Sequence, residues 1–405
     1  MLAGERLILE YRFFINKSIQ SFADAILGKY GRQNERAILF PSRAVSDRCV
    51  DFFRQQAPSL AQSKVRIIEL VPNEQRAHSM DVKAMVPKVF VVLFPEENYS
   101  IAKAFWQHSG DGTSSRRAVY CHQLFDEGLL VESSEAESAA LFCRGPRRYR
   151  SSVSSRPSSP MSNGAIPQAA EMLSEASTET RDPAQFVEER FGRNLDFSLA
   201  AKAKLAVRRR IAGSLTADVE LKEALEMRGE TSTPRQASGF SEDDVYLFPT
   251  GMSSIFNSHQ ALLAARGEMK SICYGYVFCY LKTLKQPNTE IDRFPYIDTL
   301  KILEKFGPGC LFYGLSSSDE LDDLERRLQQ GERFLALFTE FPGNPLLKSP
   351  NLLRIRQLAD KYDFGVVVDE TIGNFVNVHV LPYADVVVSS LTKVFSGDSN
   401  VMGGR

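Results

Sequence analysis

At 405 residues, 43% hydrophobic and 24% charged, the chain can bury one large core or two smaller ones and has the composition of an ordinary globular protein. Lys plus Arg number 49 against 50 for Asp plus Glu, so no net field favours nucleic acid or an anionic membrane, and a phosphate-bearing ligand needs a local site. The six cysteines are scattered without a C-x-x-C pair and no histidine stands at metal-ligand spacing, which predicts reduced thiols and no metal site.

The opening stretch "MLAGERLILEYRFFINKSIQ" is interrupted by Glu5, Arg6, Glu10 and Arg12. No apolar run reaches the roughly 18 residues of a membrane span, so a cytoplasmic chain is expected. Residues 1–140 hold the apolar stretches "RAILFPS", "KVRIIELV", "KVFVVLFP" and "RAVYCHQLF" between polar helical segments. These predict short strands in a small α/β extension. His78, His108 and His122 are isolated there and read as structural or surface residues, with no catalytic constellation around them. Residues 144–180 change character: "RGPRRYRSSVSSRPSSPMSNGAIPQA" is dominated by Ser, Pro and Arg. With so few aliphatic side chains it reads as a disordered linker.

Residues 181–405 form the second domain. "NLDFSLAAKAKLAVRRRIAGSL" is rich in helix formers, and its Arg208–Arg210 run reads as a solvated face. From Val245 short apolar runs alternate with amphipathic helices: "VYLFP" with "GMSSIFNSHQALLAARG", "CLFYGL" with "SDELDDLERRLQQG", "RFLALFTEF" with "PNLLRIRQLADKYD", then "FGVVVDET" and "ADVVVSSLT". That alternation predicts a mostly parallel sheet covered by helices on both faces. Ligands of such sheets gather at the C-terminal ends of the strands.

The predicted strand ends therefore carry the candidate chemistry. Gly251 and Met252 open a helix after "VYLFPT", where free backbone N–H groups and the helix dipole suit an anion. Tyr274, followed by Gly275, could stack on a planar ligand or simply pack. "TEFPGNPLLK" brings Asn344 to a proline-braced turn. Asp369 ends an apolar strand, where a carboxylate needs a partner. Ser390, Thr392 and Lys393 end the last strand with two hydroxyls and an amine. An anion cradle, an aromatic, an amide, a buried acid and a lysine at one sheet edge suit pyridoxal 5'-phosphate.

Residues 181–405 resemble the Cys/Met-metabolism pyridoxal-phosphate (trans-sulfuration) enzymes through "RFGRN", "PTGMSSI", "YGY", "EFPGNPLLK", "VVVDET" and "SSLTKVFSGDSNVMGG" in that order. The front part and the Ser-rich linker resemble the extension of the fungal members. The resemblance implies an aspartate-aminotransferase-like (fold type I) α/β large domain behind a small α/β extension. It implies that Lys393 attaches the cofactor and that Asp369 pairs with its ring nitrogen. Gly251, Met252, Ser390 and Thr392 then hold the phosphate, Tyr274 stacks on the ring and assists proton transfer, and Asn344 lies near the phenolic oxygen. Arg190 reaches a neighbouring subunit's phosphate, although Glu188 stands where relatives have a tyrosine. The implied reaction is γ-replacement on an O-acylhomoserine by cysteine, giving cystathionine for methionine biosynthesis, in a homodimer or tetramer. A C–S lyase, an O-acetylhomoserine sulfhydrylase and an inactive truncated paralogue are the alternatives. Relatives continue past "MGG", so the resemblance also implies a large domain incomplete at its C-terminus.

Overall fold

The computed structural model describes residues 14–73, 87–134, 200–213, 239–275, 297–344, 347–397 and 401–405. The expected linker at 144–180 and Arg190 lie outside the described residues. No helix among the described residues is long and apolar enough to cross a membrane.

The N-terminal region runs α1 (Lys17–Tyr30), β1 (Glu35–Phe40), α2 (Arg43–Gln56), β2 (Arg66–Pro72), β3 (Val89–Pro95), α3 (Tyr99–Ser109), α4 (Ser115–Asp126) and β4 (Leu130–Glu132). Its strands pair antiparallel in the order β1-β3-β2-β4. Central β3 is buried along nearly its whole length, and Phe22, Phe40, Phe53, Phe94 and Phe105 pack one core around it. One expected strand is a helix: "RAVYCHQLF" falls within α4, capped by Ser114. The cause is spacing, because Ala118, Tyr120, Cys121 and Leu124 bury one helical face that alternation along a strand could not reproduce.

After α5 (Ala200–Ala212) come α6 (Gly251–Arg266), β5 (Ser271–Tyr274), α7 (Ile297–Lys305), β6 (Cys310–Tyr313), α8 (Ser318–Gln329), β7 (Ala336–Glu340), α9 (Leu352–Tyr362), β8 (Gly365–Asp369), α10 (Asn374–Asn377) and β9 (Val386–Val388). The basic run on α5 is held to the acidic turn at 242–244, with Arg208 2.9 Å from Asp243 and Arg209 3.2 Å from Glu242.

All five strands β5 to β9 are parallel, in the order β6-β5-β7-β8-β9. Residues alternate between two cores. Ile272, Tyr274, Leu337, Val366 and Val368 pack with α8 and α9, while Cys273, Ala336, Phe338, Val367 and Val388 pack with α6 and α7. Burial on both faces explains why these strands read as continuous apolar runs. The chain leaves β5 for β6 on one side and returns to β7 on the other. The switch in direction thus falls between β5 and β7, where open α/β sheets bind ligands.

Residues 403–405 add a further antiparallel pairing. Gly404 exchanges bonds of 2.8 and 2.9 Å with Phe248, and Arg405 exchanges two of 3.1 Å with Ser389. The fit demands glycine, because a Cβ on Gly404 would lie 2.1 Å from the Thr250 carbonyl oxygen.

Candidate active site

Parallel register brings the strand ends level. Tyr274 lies opposite Thr339, Glu340 opposite Asp369, and Asp369 opposite Val388. A pocket opens at this edge, lined among others by Ile255, Tyr274, Thr299, Thr339, Glu340 and Asp369.

At one end of the edge, α6 begins beside the turn after β9. Thr250 caps the helix, its Oγ1 accepting from Ser253 N at 3.0 Å. The backbone N–H groups of Gly251 and Met252 belong to the unsatisfied first turn. Gly251 packs on Ser390 so closely that a Cβ would sit 2.7 Å from Ser390 Cβ and 3.0 Å from its Cα. Any side chain there would fill the space between helix and turn. The Met252 side chain packs into the core beneath α6. The Thr392 hydroxyl is used in the turn itself, accepting from Gly403 N at 3.0 Å.

A polar chain ties this helix start to the half-buried acid Asp369. Asp369 Oδ1 accepts from Thr371 N at 2.9 Å and from Thr371 Oγ1 at 2.5 Å, and Thr371 Oγ1 accepts from Ser390 N at 2.8 Å. Burial pushes the Asp369 carboxyl up from its ordinary range, against the Thr371 bonds and the Arg405 charge that pull it down. A cation arriving at the pocket would reverse that shift, since an opposite charge nearby favours the ionised acid. Next along the chain Glu370, fully buried, pairs with the buried Arg405.

Lys393 is exposed on the turn after β9, its N–H donating to the Ser390 carbonyl at 3.2 Å. Asn344 is exposed at the end of the turn after β7, where its backbone N–H donates to Glu340 Oε2 at 3.3 Å. Tyr274 lines the pocket, but its ring belongs to the core on the α8 and α9 side. Its phenol donates to the Ser317 carbonyl at 2.9 Å. The structure therefore brings Gly251, Ser390 and Asp369 into one connected group, with Lys393 three residues beyond Ser390. It leaves Tyr274 and Thr392 engaged in other bonds and Asn344 exposed.

Among the described cysteines, thiol chemistry finds no support. Burial pushes Cys121 and Cys310 up to about 12 and raises Cys49 and Cys273 as well, so all four stay protonated at neutral pH. Two participants carry no sequence signal of their own. Thr371 sits inside the "DET" run but is marked only by its bonds, and Arg405 meets Glu370 across 35 residues of chain by fold alone.

A parallel α/β sheet with an open helix N-terminus, a half-buried acid and a lysine at its C-terminal edge suits an enzyme class built around a phosphate-bearing ring cofactor. Residues 243–405 match the family described as Cys/Met metabolism PLP-dependent enzyme, and residues 18–114 match the fungal trans-sulfuration enzyme, N-terminal domain. The chain belongs to this family of pyridoxal-phosphate enzymes. It is 46% identical to cystathionine gamma-synthase of Neurospora crassa over 97% of its own length and 63% of that protein's. Against a cystathionine gamma-synthase-like enzyme of Amanita muscaria it is 37% identical, covering 97% of this chain and 59% of the other. Against cystathionine gamma-synthase of Saccharomyces cerevisiae it is 33% identical, with 97% and 64% covered. The chain thus spans less than two thirds of the length of these relatives.

Proposed function

We propose that this chain is the cofactor-binding part of an enzyme that joins an O-acylated homoserine to cysteine by γ-replacement, forming cystathionine in the cytoplasm. The observation that carries the cofactor assignment is the linked group Gly251–Ser390–Thr371–Asp369, one strand turn from Lys393. The cradle that a Cβ would fill suits a phosphate, and the half-buried acid at the pocket, which among the described residues lacks a cationic contact of its own on that side, suits a protonated ring nitrogen that would hold it ionised. When bound, pyridoxal phosphate supplies the electron sink that no side chain offers. Lys393 is its attachment point and the amine that moves protons at the carbons beside it. Gly251, Met252 and Ser390 hold the phosphate end, and Asp369 keeps the ring nitrogen charged. Tyr274 forms part of the pocket wall; stacking on a ring would require its phenol to leave Ser317. The substrate classes and a dimeric or tetrameric assembly rest on the relatives named cystathionine gamma-synthase.

Adding pyridoxal phosphate to the purified chain should produce the visible absorbance of a lysine-bound cofactor, and Lys393→Ala should abolish it. Equal spectra for the two proteins would remove the cofactor assignment. In an enzyme that contains this chain as its cofactor-binding part, O-acetylhomoserine and cysteine should yield cystathionine. Release of a 2-oxo acid instead would identify a lyase.

A further inference from the structure

The N-terminal region touches the first turn of α6, where the reading above puts the cofactor's phosphate. The turn after α3, residues 109–113, lies against the first turn of α6. Gly110, with φ +64°, approaches so closely that a Cβ would sit 2.3 Å from Thr250 Oγ1, 2.7 Å from Met252 Cβ and 2.7 Å from Ser253 N. Its carbonyl accepts from Thr250 Oγ1 at 3.0 Å, so the residue that caps α6 is itself held by the other region. Gly112 is equally constrained, because a Cβ there would meet the Trp106 indole nitrogen at 2.2 Å.

Between these glycines stands Asp111, only 4% exposed. It accepts from Ser253 Oγ in the first turn of α6 and, at 2.7 Å, from Arg48 Nη2 of α2. Arg48 Nη1 also donates to Asn257 Oδ1 at 3.2 Å. Asn257 Nδ2 closes the ring by donating to Ser253 O at 2.8 Å and Ser253 Oγ at 3.1 Å. The network thus grips the side chains at 250, 253 and 257 without engaging the N–H groups of Gly251 and Met252.

Thr250 already caps the helix, so Asp111 is not needed for that purpose. An ion pair between a buried acid and a half-exposed arginine adds little net stability, because the loss of hydration offsets the attraction, but it can fix one geometry. We infer that the N-terminal region is a positioning element of the cofactor pocket: Asp111, braced by Arg48, and Gly110 set the first turn of α6 so that Gly251 and Met252 face Ser390 at the spacing a phosphate requires. Asp111 and Arg48 are positioning residues in this scheme, acting through Ser253 and Asn257. The inference rests on the cofactor reading above. Coupling of this kind is reciprocal, so a bound phosphate must also tighten the docking of the 109–113 turn.

The experiment compares pyridoxal phosphate with pyridoxal, which lacks the phosphate, by absorbance titration of the 405-residue chain. Asp111→Asn keeps the shape but removes the charge that Arg48 and Ser253 address. Its affinity for pyridoxal phosphate should fall roughly tenfold, within the usual range for coupled sites, while its affinity for pyridoxal should change by less than about twofold. Amide hydrogen exchange on the wild-type chain reads the same coupling without any variant, so a misfolded Asp111→Asn does not end the test. Exchange across residues 107–113 should slow with pyridoxal phosphate and not with pyridoxal. Equal weakening of both ligands, or no difference in exchange between them, would reduce the contact to packing and overturn the inference. A wild-type chain that binds neither ligand would instead defeat the cofactor reading itself.

Discussion

Neighbouring strands in the N-terminal sheet run in opposite directions, so each of its edges collects strand starts and strand ends alternately. In the C-terminal sheet five strands run one way, and a single edge collects Tyr274, Glu340, Asp369 and the turn bearing Ser390 and Lys393. Both sheets bury large apolar cores, with β3 as enclosed as β8. The difference lies in where polar residues can converge. A parallel sheet assembles a site from strand ends distant in sequence, whereas the antiparallel sheet contributes to that site through the turn beside α6.

The two regions meet through aromatic rings as well as through Asp111. Phe306, just after α7, stacks on Phe52 of α2 at 4.6 Å and stands edge-on to Phe256 at 5.0 Å and Phe105 at 6.1 Å. Phe306→Ala should destabilise the chain by about 3 kcal/mol, since it removes a large ring from between two packed surfaces. Trp106, the one tryptophan of the chain, lies on α3 and reports the N-terminal side. In denaturant the variant's Trp106 fluorescence transition should separate from its circular dichroism transition. Coincident transitions at an unchanged midpoint would show that these rings do not couple the regions.

Each region also buries a histidine, and their surroundings differ. His108 has Ala104 O at 2.6 Å from Nδ1 and Asp298 at 3.6 Å from Nε2. His259 on α6 has no partner for either ring nitrogen among the described residues and packs edge-on to Phe338 at 5.8 Å. Burial depresses both to about 4 from 6.5. Between those two values the unfolded chain binds a proton that the native imidazole refuses, so stability falls as pH drops from about 6.5 to about 4. The loss is at most about 3 kcal/mol per histidine. His259→Leu should flatten that part of the pH profile with little change at pH 7, because it removes a polar group that has no bond to lose. His108→Leu should lose stability at pH 7. An unchanged pH profile in His259→Leu would show that its imidazole is hydrated.

Much of the C-terminal sheet is legible in the sequence, because a strand buried on both faces must be apolar throughout and must end at a turn. Gly251, Asp369, Ser390 and Lys393 are readable for the same reason: each stands at a boundary where a polar residue interrupts such a run. The 117–125 segment misleads because over nine residues its apolar positions fit a short strand as well as one helical face. Asp111 and Arg48 leave no trace, since Asp111 meets Ser253 across 142 residues and nothing local distinguishes a turn aspartate from a buried one. Thr371 is similarly silent, for its importance comes from bonding to both Asp369 and Ser390.

Tyr274 is where a motif and the geometry diverge, and the smallest expected effect decides between them. Alternation along β5 places its ring with Ile272 on the α8 and α9 side, whereas Asp369 shares the parity of Val367 on the α6 side. Burial raises the phenol's pKa further above its ordinary value, which makes it a poorer acid at neutral pH. Its hydroxyl donates to Ser317, the residue whose side chain caps α8 by accepting from Glu320 N at 3.3 Å. Tyr274→Phe should therefore lose about 1 kcal/mol of stability, the usual net value of one buried hydrogen bond. The absorbance of the Lys393-bound cofactor should be retained. If turnover of an O-acylhomoserine instead collapsed while the denaturation midpoint stayed in place, the hydroxyl would belong to the chemistry. Its bond to Ser317 would then have to break whenever substrate binds.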